Sequence, residues 1–453
     1  MTIDSGVGIM TNKLAGICKA LTVGVLACGI GQAQAQTPED FLKWFEANQS
    51  AEVTFSEGDT ISFDDIEKIR AFVPPGYQDE MFFPGMEVKI RGKSDFTPAK
   101  IYLDATAANN NQATLSDDGV ISNYKAGRPF DPATFKAGDR MSGFKAAWNF
   151  NYRWQNQGLD IGNVLWVWVR KGGSHDDHDI MDSKYANLFE GGGKFERVLQ
   201  GPYRRAYLSH RADQADTDFK EPDRWAEDTE FRELTAFTSP FDIAGTAFII
   251  LRHDQNVADD AWAYVPSLRR VRRISAEVKT DSLLGTDHTL EDFYCYAGRV
   301  PTYDWKYIGT ARLLAVARSR NLDTVYYGPN GWTPKDDWEL REVDVFKMIP
   351  TSKSHPYSVK YMMTDRQNAA PYYCNAYDHG NELWKLWQLS ATWTNDAHFE
   401  GEGDSISAFQ SINVIDKQND RGTLVPTTEV SYPQTKISKI KRSHDVNALT
   451  EGR

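Results

Sequence analysis

From Val88 to Thr394 the sequence passes through one extended, β-branched or aromatic run after another, each closed by Gly, Pro, Asn or Asp, and this succession limits what the chain can become. The runs are Val88 to Ile90, Ala99 to Leu103, Asn163 to Val169, Phe195 to Leu199, Arg204 to His210, Gly245 to Arg252, Ala261 to Val265, Val271 to Ala276, Trp338 to Met348, Ser358 to Asp365 and Leu383 to Thr394. Strand and helix patterns do not alternate regularly. That argues against a doubly wound parallel fold and for a mainly β, α+β chain with a large antiparallel sheet.

Helical signals are few. Pro38 to Gln49 carries Phe41, Leu42, Trp44 and Phe45 on or near one face, with Glu39 and Asp40 in its first turn. A second helix is predicted over Phe63 to Phe72, with Ser62 as N-cap and Ile66, Ile69 and Val73 on the packed side, stopping before Pro74-Pro75-Gly76. Both read as covers for a core rather than membrane-surface helices, because their polar faces are not strongly basic. Short helices are also expected at Arg232 to Ala236 and Trp305 to Ala317. From Gly401 onward the chain reads as polar, with a basic stretch at Lys436 to Arg442 and a mobile tail. No repeat or marked linker divides the chain. Residues 36–453 are therefore read as one domain, with N-terminal helices over 36–75, a sheet core over 76–400 and a polar C-terminal segment over 401–453.

The opening residues read as an export signal. Lys13 and Lys19 give a basic start, Ala20 to Gly31 an apolar run, and Ala33-Gln34-Ala35 an A-x-A cleavage site, which places the mature terminus near Gln36. Met10 is a second candidate start. The run is well short of the roughly 20 residues that cross a bilayer, and nothing later is long and apolar enough, so an exported soluble protein is expected. A rival reading takes Val25-Leu26-Ala27-Cys28-Gly29 as a lipobox whose Cys28 carries lipid, although Leu26 fits it poorly. Cleavage leaves Cys295 and Cys374, and either a disulfide or two separate buried thiols fits the sequence.

With 51 basic against 63 acidic side chains the chain is acidic, which excludes nucleic acid as a partner of the whole surface. Its 13 Trp and 20 Tyr suit either a large β-rich core or a surface that grips lipid tails or sugars. Catalytic signatures are missing: there is no G-x-S-x-G, H-E-x-x-H, Walker loop or C-x-x-C, and no cofactor is expected. The Gly191-Gly192-Gly193 run reads as a turn. His175, His178 and Asp179 are the best metal candidates, since a helical His175 and His178 would share a face, but Lys171-Gly172-Gly173-Ser174 before them favours an exposed loop. His355-Pro356-Tyr357-Ser358 reads as a rigid turn entering a strand, and Asp378 to Lys385 as a hairpin turning at Gly380-Asn381.

One unit stands apart. Between Asp259 and Phe293 an aromatic strand ends at Pro266-Ser267, a second strand carries Arg269, Arg270, Arg272 and Arg273, and Gly285, Asp287 and Glu291-Asp292-Phe293 follow as a turn and an acidic, aromatic segment. Those arginines cannot all enter a core, so one face must meet water, carboxylates or an anionic partner.

This unit resembles the signature of periplasmic outer-membrane lipoprotein-sorting-like proteins of the LolA and LolB kind. A closer similarity is to a domain-of-unknown-function family of exported Gram-negative proteins often encoded beside RND-superfamily exporters. It extends through Ala126-Gly127-Arg128-Pro129-Phe130, Ala147-Trp148-Asn149, Ser239 to Gly245, His355 to Ser358 and Tyr377 to Lys385, and so over most of the mature chain. The resemblance implies a strongly curved antiparallel sheet forming an unclosed barrel, helices on its concave side and an apolar cavity between them. It further implies a non-enzymatic periplasmic carrier or chaperone for a lipid or other hydrophobic ligand, working with an RND-type exporter or outer-membrane protein. In that scheme Trp262, Tyr264, Phe248 and Ile250 face the cavity or its rim, and Arg269, Arg270, Arg272 and Arg273 hold anionic head groups or an acidic partner. The alternatives are a docking or assembly factor with a filled core and a periplasmic hydrolase or glycan binder.

Overall fold

Neighbouring residues of a strand point to opposite faces of a sheet, so a strand buried at every position must lie in a sheet covered on both sides. Val359–Asp365 and Pro371–Tyr377 are buried throughout. A computed structural model, which describes residues 36–275, 280–399 and 404–450, shows how both faces are covered. The export signal expected over residues 1–35, with Cys28, lies outside the described residues.

In chain order the strands are β1 (Thr60–Ser62), β2 (Glu87–Arg91), β3 (Thr114–Leu115), β4 (Ile121–Ser122), β5 (Gly158–Arg170), β6 (Lys194–Tyr207), β7 (Thr229–Ala236), β8 (Ala247–His253), β9 (Asp260–Val265) and β10 (Arg270–Ile274). They continue with β11 (Tyr303–Ala315), β12 (Tyr326–Tyr327), β13 (Thr333–Pro334), β14 (Asp337–Pro350), β15 (Val359–Asp365), β16 (Pro371–Tyr377), β17 (Leu383–Trp393), β18 (Ser407–Asp416) and β19 (Arg421–Ser431). The helices are α1 (Pro38–Ser50), α2 (Glu67–Arg70), α3 (Tyr77–Met81), α4 (Lys100–Ala108), α5 (Arg140–Asn151) and α6 (Ile437–His444).

Apart from the two-stranded pairs β3–β4 and β12–β13, all strands join one 15-stranded sheet in the order β1-β2-β14-β15-β16-β17-β18-β19-β5-β6-β7-β8-β9-β10, with β11 also on β14. Glu339 pairs with both Ala315 and Arg91, so β11 and β2 flank β14 on opposite sides. Every pairing is antiparallel except β2 with β14. The end strands β10 and β11 do not pair with one another, so this is a large curved sheet left unclosed. Register shifts at Tyr307/Gly309, Met363/Thr364 and Ser390/Ala391 mark bulges, the devices that bend such a sheet.

One face carries Leu165, Val343, Tyr361, Tyr373 and Leu386, packed under Phe41, Ile69, Tyr77 and Met81 of α1 to α3. The other carries Trp166, Phe346, Met362 and Trp387 beneath Phe144, Ala147 and Phe150 of α5 and Tyr294 to Val300. Between α1 to α3 and the sheet, the space where an apolar cavity is expected is occupied by these side chains. Phe41 stacks on Tyr361 with ring centroids 4.0 Å apart. Asn48, wholly buried, donates to the carbonyls of Ala71 and Arg312 at 2.9 and 2.8 Å and accepts from Arg312 N–H at 3.0 Å, stitching α1 to β11. On the far face α5 approaches β11 so closely that a Cβ on Gly143 would lie 2.5 Å from the Trp305 carbonyl oxygen. Only glycine fits there.

Several expectations need correction. Within the strand expected over Ala99 to Leu103, the residues from Lys100 onward belong to α4 with Ala99 as its N-cap, and α5 had no counterpart among the predicted helices. Arg232 to Ala236 lies in β7, and Trp305 to Ala317 falls largely in β11, whose buried Tyr303, Trp305 and Tyr307 repeat every second residue as a strand does. The Phe63 to Phe72 helix is a 3₁₀ turn over Phe63–Asp65 followed by the short α2, and Ser62 makes no side-chain cap bond. The segment from 401 onward is not a polar appendage: it supplies the buried strands β18 and β19 and helix α6. Several of its polar residues are internal because they find partners inside, as when Asn413 donates to the Trp332 carbonyl at 2.8 Å and Thr427 to that of Gln410 at 2.8 Å. Residues Gln36–Arg453 cluster as one compact unit.

Tyr77 fastens the helical layer to the sheet, its buried hydroxyl lying 2.6 Å from the Cys374 carbonyl and 2.7 Å from that of Trp387. Tyr77→Phe should lower the unfolding free energy by about 1–3 kcal/mol, because it strips a partner from buried carbonyls. Denaturant titration reads this, and an unchanged midpoint would remove Tyr77 as the fastener.

Candidate functional site

The middle of the sheet is packed on both faces, and clefts of about 450 and 480 Å³ outside the wing are lined mainly by polar residues, so an apolar site is sought in the wing formed by β7 to β10. Register sorts its residues by face. Ala247 pairs with Tyr264 and Ile249 with Trp262, while Phe248 pairs with Ala263 and Ile250 with Ala261. Trp262 and Tyr264 therefore share one face, and Phe248 and Ile250 share the other. Phe248 packs against the core beneath α5, with its ring 6.4 Å from that of Phe237. The nominated apolar residues do not converge on a single surface.

The arginines divide in the same way. Arg269 ends a 3₁₀ turn over Pro266–Leu268 in the left-handed conformation, with φ 48°. Arg270 and Arg272, opposite Val265 and Ala263, are exposed on the Phe248 face. Arg273, opposite Trp262, pairs with Asp260, which also faces Nε2 of His253 at 3.1 Å.

The face of Trp262 and Tyr264 is the one the sheet leaves to the C terminus. Val446 and Leu449, in the turn after α6, pack on Leu234, Ala247, Ile249 and Trp262. Lys441 anchors α6 through a 2.6 Å ion pair with Asp223. Between this segment and the wing lies a cleft of about 430 Å³ lined chiefly by Leu234, Ala236, Phe237, Tyr264, Pro266 and Leu449. That volume lies within the roughly 300–1,000 Å³ of small-molecule pockets. Ser443 also borders a second cleft of about 350 Å³, where Asp160, Arg204, Lys439 and Arg442 supply charge. Of the nominated residues Tyr264 lines the apolar cleft and Trp262 packs beside it. Sequence reasoning missed Leu234, Phe237 and Leu449, because β7 reads as a helix and the tail as loose. The three-residue spacing of Val446 and Leu449 was the available signal.

The acidic run after the arginine strand has a different task. Gly285, at φ +91°, turns the chain so that a Cβ there would touch Trp168 at 3.0 Å. Asp287 is buried, accepts from Arg421 at 2.7 Å and from Thr423 Oγ1 at 3.0 Å, and its carbonyl accepts from Lys385 at 2.8 Å. Asp292 accepts from Lys360 Nζ and the Tyr357 hydroxyl, both at 2.7 Å, and Lys360 also donates to the Cys295 carbonyl at 2.6 Å. The Tyr303 hydroxyl and His355 Nε2 lie 2.9 Å apart nearby. Segments that carried the resemblance thus meet in one buried clamp. Burial alone would push the Asp292 carboxyl upward, but Lys360 and Lys385 outweigh it and hold it below its ordinary range. Burial likewise disfavours the Lys360 ammonium, and Asp292 overrides that and raises it.

The metal candidates are engaged elsewhere. His175 is buried rather than in an exposed loop, stacks on Phe195 at 4.0 Å and meets the Gly193 carbonyl through Nδ1 at 3.0 Å, while His178 Nδ1 accepts from Ile180 N–H at 3.1 Å. Asp179 opens the 3₁₀ turn Asp179–Asp182. Among the described residues no group of three or more His, Cys, Asp or Glu is placed to hold a metal ion. Cys295 and Cys374 are buried free thiols.

Comparison with known proteins places these features in context. The model of the family described as "Protein of unknown function (DUF1329)" matches residues 60–444. A candidate outer membrane lipoprotein-sorting protein domain from Vibrio parahaemolyticus is 18% identical, with TM-score 0.43, over 69% of this chain and 100% of that one. A DUF1329 family protein from Desulfovibrio piger is 16% identical, with TM-score 0.44, over the same shares, 69% and 100%. A LolA superfamily protein from Nitrosomonas europaea is 13% identical, with TM-score 0.34, over 64% and 92%. No curated protein matches.

The clamp has a titratable neighbour. Burial pulls the pKa of His288, between Asp287 and Thr289, down to about 4 against the pull of Asp292, and burial takes His444 in α6 to about 4 as well. A histidine held neutral by the fold protonates first in the unfolded chain, so its contribution is complete above about pH 6.5 and disappears as pH falls towards 4. Each should cost up to about 3 kcal/mol over that window. His288→Leu should flatten the fall between pH 6.5 and 4 seen in denaturant titrations; an unaltered slope would mean that His288 does not report on the clamp.

Proposed function

The chain belongs to the DUF1329 family, and we propose that it acts there as an exported, periplasmic carrier or chaperone that holds a hydrophobic molecule without catalysis. The cleft of about 430 Å³ beneath the C-terminal segment carries this reading. Leu234, Phe237 and Leu449 give an apolar wall, and each methylene withdrawn from water there contributes about 0.8 kcal/mol, so a short length of acyl chain binds usefully. Tyr264 lies within the wall and Trp262 braces it. Phe248 and Ile250 stiffen the wing from behind. Arg269, Arg270 and Arg272 are available to an anionic head group or partner, while Arg273 is shared with Asp260. An RND-superfamily exporter or an outer-membrane protein is the proposed partner in delivery. Cleavage near Ala35 produces the working form.

The absence of chemistry is part of the proposal. One group of buried carboxylates that could serve a hydrolase is tied to a cation: Arg341 bonds Asp365 at 2.7 Å and pairs with Glu339 at 2.5 Å, all three buried. A second reading, a docking or assembly factor with a filled core, is favoured by the complete burial of Trp166, Trp305, Trp332, Trp338 and Trp387. The two readings part at the cleft.

Protein purified without detergent should take up a fluorescent fatty acid, and Ala236→Trp, which fills the cleft from a half-buried position, should weaken uptake about tenfold by excluding about two methylenes. Wild-type protein that takes up no probe, and yields no lipid on solvent extraction, would favour the docking factor.

A further inference from the structure

The turn between β7 and β8 carries a phenylalanine that the fold does not use. Phe241 is 99% exposed. Its backbone is nevertheless fixed: the amides of Ile243 and Ala244 donate to the Pro240 carbonyl at 3.1 and 3.0 Å, that of Gly245 donates to Phe237 at 2.8 Å, and Arg197 holds Asp242 at 2.6 Å. A large apolar side chain presented to water on a braced turn marks a contact made with something else.

The turn between β9 and β10 lies at the same end of the wing. Ala247 pairs with Tyr264, and a Cβ on Gly245 would sit 3.0 Å from Cγ of Pro266. That second turn adds Leu268, 48% exposed, then the exposed Arg269 and Arg270. Thr238, Gly245 and Pro266, from the two turns, also border the apolar cleft. Protruding apolar residues, adjoining arginines and a cleft mouth therefore coincide at one tip.

We propose that this tip docks on a bilayer surface containing anionic phospholipid. Phe241 and Leu268 enter the headgroup region, and Arg269 and Arg270 meet lipid phosphates, with the cleft mouth turned towards the acyl chains. Charge selects this orientation: the chain carries a net charge of −12, so most of its surface is repelled by such a bilayer while the arginine turn is drawn to it. Shape favours a bilayer over a protein partner. Phe241 projects outward beside the cleft mouth rather than lining it, as a side chain that enters a headgroup layer does. What crosses between bilayer and cleft rests on the carrier reading; docking itself does not.

Flotation of the exported chain with vesicles of phosphatidylethanolamine, with and without phosphatidylglycerol, tests this alongside fatty-acid uptake in vesicle-free solution. Wild-type protein should float with the phosphatidylglycerol vesicles and be released by salt. Phe241→Ser and the pair Arg269→Glu and Arg270→Glu should each bind at least about tenfold less at the wild-type thermal midpoint, and Phe241→Ser should also keep the wild-type solution uptake. Val257→Ser, at an exposed apolar position on the turn at the opposite end of the wing, should float normally. Failure of the wild type to float, or tip variants that float as well as it does, overturns the docking proposal. So do tip variants that float normally but lose a purified protein partner. Flotation without any uptake supports docking and removes the carrier reading alone.

Discussion

Lys360 ends wholly inside the sheet, and much of the structure is arranged around that charge. A strand buried on both faces has no water to offer an ammonium group, so a carboxylate must come to it, and Asp292 does so from a segment that crosses the sheet. The same crossing delivers Asp287 to Arg421 and its carbonyl to Lys385. The clamp thereby ties β15, β17 and β19 to the chain between the arginine strand and β11, and closes the face that α5 also covers. Removing one partner of such a pair strands the other, at a cost of about 3–5 kcal/mol.

This arrangement explains what could be read in the sequence. The large, mainly antiparallel sheet was legible because turn residues punctuate runs of β-branched and aromatic side chains, its unclosed form followed from the family resemblance alone, and the Asp378 to Lys385 hairpin declared itself through Gly380-Asn381. β18 and β19 were not legible, because Gln410, Ser411, Asn413, Thr423 and Thr427 look like surface residues until their partners are known. α4 was missed because Ile101, Tyr102 and Leu103 in succession also suit a strand, and here two of them, Ile101 and Leu103, stay largely exposed. The arginine strand stood out as unable to enter a core, and its exposed residues agree. Its relation to a cleft could not be seen, since that depends on a C-terminal segment distant in sequence.

The two parts of the sheet differ in how their faces are used. Between β14 and β5 aromatic side chains interlock on both sides, and packing of that density leaves no room for a guest. Beyond β6 one face is left to α6 and a short turn, a cover resting mainly on Val446 and Leu449. Elements held by few apolar contacts open at lower free energy than a core does. A rigid body with one lightly covered wing meets the requirements of a carrier, which must keep its shape while its cargo enters and leaves.

Strand order has a further consequence, for the time at which the molecule comes into being. β5 is followed in sequence by β6 to β10 on one side, but on its other side it waits for β19, which in turn waits for β18 to reach β17. A chain emerging with its N terminus first is therefore two open-edged pieces until residue 431 has arrived. Pairings that bridge such separations form slowly. Until they do, each piece shows an unpaired strand edge, so the topology leaves the joining of the two to the last strand of the sheet.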